Sequence, residues 1–360
     1  MIFFIDFNKQ QSYNELTNNY LCLGDIIMNN NKILFISGKD IESMNLTNEE
    51  ILNSVEQSLV AQGSNQTVIE PRVHLIPNPS VNGHFNILRG YIEPLNVAGV
   101  KIVGDYVDNY KKNLPSELAL LNLYDPGTGM PLAILDATAI TDMRTGALTA
   151  IGAKYLARKD SKILGHLGAR GTSYWNVILL DSIFNFDEIR VNSRRPESRE
   201  AFAKLLTEKL GKPVIAFDNS EDCLKGADIM VEATRLIEPE PFLLTRWVAP
   251  GTFVVPYGTI SAVENDLTDV MDKMIVDDWG QCKGGKFGSL RYHVDSGKLS
   301  QETLYAELCE IVTRQKKGRE SNDERILFWH RGLSLNDIAL GYLIWQKAIA
   351  AKIGTELTYR

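Results

Sequence analysis

The sharpest chemical signal in the sequence is a glycine-rich turn, Leu167-Gly168-Ala169-Arg170-Gly171-Thr172-Ser173, preceded by the apolar run Ile163-Leu164-Gly165-His166. A helical pattern follows it. In a strand–turn–helix context, glycines let backbone N–H groups approach a diphosphate, and the helix dipole adds attraction. With Gly168 as the first glycine, Arg170 takes the usual second-glycine place and Ser173 the third, so the match to a dinucleotide fingerprint is partial. A side chain at 170 must point away from the phosphates or bind them as a cation. Gly168, Ala169, Arg170, Gly171, Thr172 and Ser173 are the candidate diphosphate-binding residues. The competing reading is a tight turn in some other α/β protein.

The next strand pattern runs Glu188-Ile189-Arg190-Val191-Asn192 and continues Ser193-Arg194-Arg195. A free ribose 2′-hydroxyl is usually gripped by a carboxylate at the end of this strand. Here Asn192 and Ser193 precede two guanidinium groups suited to a 2′-phosphate. The expected cofactor is NADP(H) in preference to NAD(H), read by Asn192, Ser193, Arg194 and Arg195. The alternative leaves both arginines as solvated surface charges. The five histidines lack metal-ligand spacing, and Cys22, Cys223, Cys282 and Cys309 form no C-x-x-C pair. Neither a metal site nor a disulfide framework is expected.

Positioning these residues requires alternating elements. Thr47 with Glu50, followed by Ile51, Val55, Leu59 and Val60, predicts a capped helix over 46–62. Strands are predicted at 1–7, 33–36, 99–104, 119–125 and 131–136. Turns are predicted at 29–31 and 126–129, and a helix at 140–157. From 161 to 278, strands at 163–167, 188–192, 214–216, 227–232, 252–256 and 274–277 alternate with helices at 172–184 and 197–210. That pattern gives a parallel sheet with helices on both faces. From 301 the chain reads as helical, ending in a long helix over 335–351 with one apolar face. The expected fold is α/β. A Rossmann-type doubly wound parallel sheet spans 151–324, inserted in a discontinuous α+β domain of 1–150 completed by 325–360.

Composition narrows the setting. The formal net charge of −7 argues against nucleic acid or anionic membrane as the main partner, because phosphate binders concentrate Lys and Arg. The apolar N-terminal run is broken by Asp6 and has no basic leader, so it does not read as a signal peptide. No apolar run approaches the ~18 residues of a membrane span. A reduced, cytoplasmic location is expected.

The chain resembles the ornithine cyclodeaminase/mu-crystallin family over about Asn48 to Gly354. The resemblance rests on Gly129-Met130-Pro131-Leu132-Ala133-Ile134-Leu135-Asp136 followed by Thr141-Asp142-Met143-Arg144-Thr145-Gly146-Ala147, and on Gly99-Val100-Lys101. It extends through Ala227-Asp228-Ile229 to Ala233-Thr234, then Ala249-Pro250-Gly251-Thr252. It implies a substrate-binding and dimerisation domain beside a Rossmann domain, a homodimer, and a nicotinamide cofactor used on a small amino or imino acid. Ala233 and Thr234 would lie beside that cofactor. Three cations that hold the substrate carboxylate in the family match Arg72, Lys101 and Arg144 here. A buried carboxylate requires such donors, and holding it fixes the carbon that exchanges hydride. Lys101 lies in an apolar stretch where an unpaired ammonium is costly, which favours a functional role, and it is expected to be catalytic as well as substrate-binding. Arg144 could instead pair with Asp142 or Asp136.

Two departures from the family bear on mechanism. Cyclodeaminases carry an aspartate that handles the proton at the reacting amine, and Ile260 occupies its place here. Isoleucine neither gives nor takes a proton. The odds therefore move to imine (ketimine) reduction or amino-acid dehydrogenation. Ornithine or lysine cyclodeamination, opine-type synthesis of an N-substituted amino acid and non-catalytic NADPH binding are the alternatives. In Trp329-His330-Arg331-Gly332-Leu333, His330 and Arg331 replace a small polar and an apolar residue. The expectation is that His330 is the proton donor, because imidazole titrates near neutrality; the alternative is an interdomain histidine without such a role. His166 reads as structural, and His74 alternates with Arg72 so that both could face one pocket.

Overall fold

The computed structural model describes residues 32–284 and 287–359, apart from the side chain of Tyr110. The strand expected at 1–7, the turn at 29–31 and Cys22 lie outside the described residues. Two eight-stranded sheets organise the chain. The first contains β1 (Lys32–Ile36), β2 (Thr67–Ile69), β3 (Val73–Leu75), β4 (Gly83–Ile92), β5 (Val97–Tyr106), β6 (Glu117–Tyr124), β7 (Pro131–Asp136) and β16 (Thr355–Thr358). Its order is β16-β1-β7-β6-β5-β4-β2, with β3 also on β4. The run β4 to β7 is an antiparallel meander, and β1 joins β7 in parallel.

Strand alternation gives this sheet two different faces. Lys101 on β5 is registered between Leu88 and Leu121 and is buried, whereas Ile102 sits between Ile87 and Leu120. Ile102, Leu118 and Leu120 are exposed on the outer face. The inner face is covered by the helices Ala137–Leu156 and Ser334–Ala351, against which the helix Asn48–Gly63 also packs. That last helix starts with the expected capping box between Thr47 and Glu50.

The second sheet contains β8 (Ile163–Leu167), β9 (Glu188–Asn192), β10 (Val214–Ala216), β11 (Ile229–Glu232), β12 (Phe253–Pro256), β13 (Lys273–Val276), β14 (Ala306–Glu307) and β15 (Ile326–Trp329). It is parallel throughout, in the order β10-β9-β8-β11-β12-β15-β13-β14. The first five strands follow the doubly wound 3-2-1-4-5 arrangement, whose ligand crevice lies at the carboxyl ends of the strands.

Two expectations need correction. The chain beyond 301 is not helical throughout: before the helix Ser334–Ala351 it forms β14, the five-residue helix Leu308–Val312 and β15. Strand β15 also lies inside the second sheet, so the segment returning to the first domain starts after Trp329 rather than at 325. The run Ile326-Leu327-Phe328-Trp329 is fully buried, and periodicity alone does not separate a short apolar strand from a helical turn. The loop 330–333 therefore carries the chain directly from one sheet to the helix lining the other. Among the described residues no helix is long and apolar enough to cross a membrane.

Candidate active site

The glycine turn follows β8. Gly168 has φ +113°, and a Cβ there would lie 2.8 Å from the Ala233 carbonyl oxygen, so the turn and the end of β11 approach closely only without a side chain. The Gly168 N–H donates to the Asn192 carbonyl at 2.9 Å. Gly171 also has positive φ, +55°. Thr172 stands at the N-cap of the helix Ser173–Phe184 but makes no side-chain cap. Its hydroxyl instead meets the Tyr257 hydroxyl at 2.7 Å, and Ser173 Oγ donates to the Arg170 carbonyl. An uncapped helix start behind an open glycine turn, with Arg170 exposed and Ala169 half-buried, fits a dinucleotide diphosphate.

At the end of β9, Asn192 is spent on the Phe217 carbonyl and Ser193 Oγ on that of Arg195, while the side chains of Arg194 and Arg195 are exposed. The Ala233 N–H donates to the Leu167 carbonyl, and Thr234 gives its N–H and hydroxyl to Glu232. Glu232 is fully buried, and burial raises its pKa.

Lys101 and Arg144 converge. Both donate to the same oxygen of Asp337, at 2.6 and 2.9 Å, and Lys101 Nζ also donates to Thr141 Oγ1 at 3.1 Å. Lys101 is 1 % exposed, Arg144 7 % and Asp337 0 %, so the triad is interior and its net charge is +1. Burial lowers the Lys101 pKa to about 8, with Asp337 opposing. The partner of Arg144 is thus Asp337 from the C-terminal helix, rather than Asp142 or Asp136. Sequence reasoning missed Asp337; the one signal was a carboxylate on the apolar face of that helix.

Arg72 is near these cations, but its donors serve the loop after β15. Its Nη2 donates to the carbonyls of Arg331 and Gly332, both at 2.7 Å, while Asp277 accepts the N–H groups of the same two residues. Burial and the neighbouring Arg331 lower its pKa to about 10. Gly332, with φ +80°, lies directly against Arg144: a Cβ there would be 2.0 Å from Nη1. Arg72 therefore backs Arg144 through the 331–332 backbone. His74 lies beside Arg72, and burial first, then that cation, lowers its pKa to about 4. Its ring also meets His84, which stacks on Phe287 of the other domain at 5.1 Å.

His330 does not fit the role expected of it. It is 2 % exposed, bonded to Thr149 Oγ1 at 2.9 Å, and stacked on Tyr257 with ring centroids 4.7 Å apart. Burial, then the charge of Arg144, lowers its pKa to about 3. The imidazole is neutral near pH 7 and holds no acidic proton to give. His166 is likewise buried and structural, with Nδ1 3.1 Å from the Gly168 carbonyl oxygen.

Two further residues at the junction were not among the candidate site residues. Arg235, after β11, reaches across to Asp105 and Glu117 on the first sheet. Asp142 faces the glycine turn: its Oδ1 lies 3.9 Å from where a Gly171 Cβ would stand. It shares the start of the helix Ala137–Leu156 with Thr141 and Arg144. Burial, then Glu117, raises its pKa to about 7. The domains also meet where Gly146 lets this helix approach Trp175, a Cβ there falling 2.5 Å from the Trp175 carbonyl carbon.

The chain is similar to known proteins over most of its length. Residues 32–352 match the model of the ornithine cyclodeaminase/mu-crystallin family. The N-((2S)-2-amino-2-carboxyethyl)-L-glutamate dehydrogenase of Staphylococcus aureus is 29% identical over 339 residues, covering 91% of this chain and 99% of the relative. Among solved structures, Thermococcus litoralis Delta(1)-pyrroline-2-carboxylate reductase, in complex with NADH and L-proline, has a TM-score of 0.84 and 30% identity. The match covers 90% of this chain and 99% of that one. An archaeal alanine dehydrogenase dimer with bound NAD also has a TM-score of 0.84, at 27% identity, covering 91% and 100%.

Proposed function

This chain belongs to the ornithine cyclodeaminase/mu-crystallin family, and we propose that it is an NAD(P)-dependent oxidoreductase acting on the CH–NH or CH–NH2 group of a small amino or imino acid. The reading is imine (ketimine) reduction or its reverse, amino-acid oxidation. The observation that carries it is the convergence of two buried cations, Lys101 and Arg144, on one carboxylate, at the helix whose Asp142 faces Gly171 of the glycine turn. With one shared counter-charge on Asp337, they retain a single positive charge in the interior, which one substrate carboxylate neutralises. Similarity to an imino-acid reductase and an amino-acid dehydrogenase supports the same chemistry.

In this reading Arg144 and Lys101 hold the substrate carboxylate, and Arg72 keeps the loop behind Arg144 in place. The turn Gly168 to Ser173 and the uncapped helix behind it hold the diphosphate. Ala233 and Thr234 border the dinucleotide where β11 ends. A nicotinamide dinucleotide bound there supplies or accepts a hydride. We assign the phosphorylated form, NADP(H), because Asn192 rather than a carboxylate ends β9 and the exposed Arg194 and Arg195 follow it, suited to a 2′-phosphate. Ile260, lacking any proton, favours this reading over cyclodeamination of ornithine or lysine.

We also assign a homodimer through the exposed outer face of the first sheet, around Ile102, Leu118 and Leu120. The cytoplasm suits the buried, unpaired Cys223, Cys282 and Cys309. The test is a screen of amino acids with oxidised cofactor and of cyclic and linear imino acids with reduced cofactor, read by nicotinamide absorbance. Turnover favouring NADPH over NADH is expected. A cyclodeaminase would release ammonia with no net absorbance change, and that result would overturn the proposal.

A further inference from the structure

Turnover at a carbon–nitrogen bond requires a proton carrier at the nitrogen, and most titratable groups at the junction are committed elsewhere. His330 is neutral and buried under Tyr257. The Tyr257 hydroxyl is engaged by Thr172 and Asn176, and burial raises its pKa. Lys101 is held by Asp337 and Thr141. Asp277 accepts two backbone N–H groups, Glu232 is fixed by Thr234 and Ser289, and Asp105 and Glu117 bind Arg235. Asp142 alone among these carboxylates makes no hydrogen bond or ion pair to the described residues, and it remains partly accessible. It faces Gly171 of the glycine turn from the helix that also carries Arg144.

Resting on the function proposed above, we infer that Asp142 is the acid–base residue of this site. In reduction, the imine carbon gains a hydride from the reduced dinucleotide. The nitrogen gains the proton of Asp142, and the C=N π bond is lost as the new C–H and N–H bonds form. Asp142 is left as a carboxylate and recovers its proton from water. In oxidation, the ionised Asp142 takes the proton from the amine nitrogen as the hydride leaves carbon.

The surroundings poise Asp142 for both directions. Burial and the Glu117 carboxylate on β6 favour its neutral form. Arg144 on its own helix, Arg235 after β11 and Lys101 on β5 oppose them, and the balance falls at about 7. The Tyr257 hydroxyl, from the loop after β12, also faces this group. Arg235 is held by Asp105 and Glu117, which limits how far it draws the Asp142 proton away. An acid–base group works best with a pKa near the working pH.

The first experiment needs no turnover. Difference infrared spectra of the dinucleotide-free protein should show a protonated-carboxyl band that disappears as pH rises through about 7. That band should be missing in Asp142→Asn. The second measurement uses turnover. Imine reduction by the unaltered enzyme should fall, and amine oxidation rise, as pH passes through about 7. Asp142→Asn should lower kcat about 10²–10⁴-fold and erase that limb of the pH profile, with NADPH and substrate-analogue affinities changed less than about 3-fold. Asp142→Glu should restore part of kcat and a shifted limb.

A protein without the neutral-range band overturns the inference. So does an Asp142→Asn enzyme that keeps kcat within a few-fold and the same pH limb, although the proposed function then stands. An unaltered enzyme inactive on every amino and imino acid overturns both.

Discussion

Replacing Asp337 by Asn tests the physical core of the site. The substitution keeps the shape of the side chain and removes the one negative charge shared by Lys101 and Arg144. Both cations are interior, and Asp337 Oδ1 is the acceptor of both. Each hydrogen bond to a charged group contributes about 1.5–3 kcal/mol, and removing one partner of a buried ion pair costs about 3–5 kcal/mol. The expected loss is therefore about 3–5 kcal/mol, a large share of the ~5–15 kcal/mol that holds a typical protein folded. Urea unfolding followed by tryptophan fluorescence would read it as a lowered midpoint. A small carboxylate such as acetate should stabilise the variant more than the unaltered protein, because it replaces the missing charge. Adding Lys101→Met should recover part of the loss, since removing both partners leaves less uncompensated charge. A loss below about 1 kcal/mol, far under the range expected for a buried pair, with no response to acetate, would refute the reasoning.

Three other outcomes are expected. Gly168→Ala strains a positive φ and drives Cβ toward the Ala233 carbonyl. At about 1–3 kcal/mol of strain, dinucleotide affinity should fall about 10-fold or more in a fluorescence titration. His330→Gln, which keeps a partner for Thr149, should leave the pH profile near neutrality unchanged, because burial already holds the imidazole neutral above about 3. Leu120→Lys, on the exposed apolar outer face beside Ile102, should halve the mass seen by light scattering while the monomer remains folded.

Local patterns were legible in the sequence. Short apolar runs located β8 and β9, a capping pair with helically spaced apolar residues located the helix Asn48–Gly63, and the glycine turn announced its backbone geometry at Gly168. The pairing of cations was not legible. Asp337 lies 236 residues from Lys101 and 193 from Arg144, and nothing in local spacing joins them. The environment of His330 is assembled from Phe328 two residues before it together with Thr149 on a helix and Tyr257 on the loop after β12, both far from it in sequence. A histidine's pKa follows from such neighbours rather than from its own sequence context. Arg72 was identified as a cation, but its service to two carbonyls depends on a loop more than 250 residues away. The place of β15 between β12 and β13 also follows from tertiary packing, because four apolar residues carry no information about which neighbours they will have.

The position of β15 bears on any attempt to separate the two halves of the chain. A fragment spanning 151–324 would lack an interior strand, leaving β12 and β13 to present unsatisfied edges to solvent or to other molecules. The same four residues anchor the loop that presses on Arg144, so a nick between 330 and 333 would disturb both halves at once. The second half is one continuous stretch that leaves the first after the helix Ala137–Leu156 and returns to it before the helix Ser334–Ala351, so two covalent crossings, not one, tie the halves together.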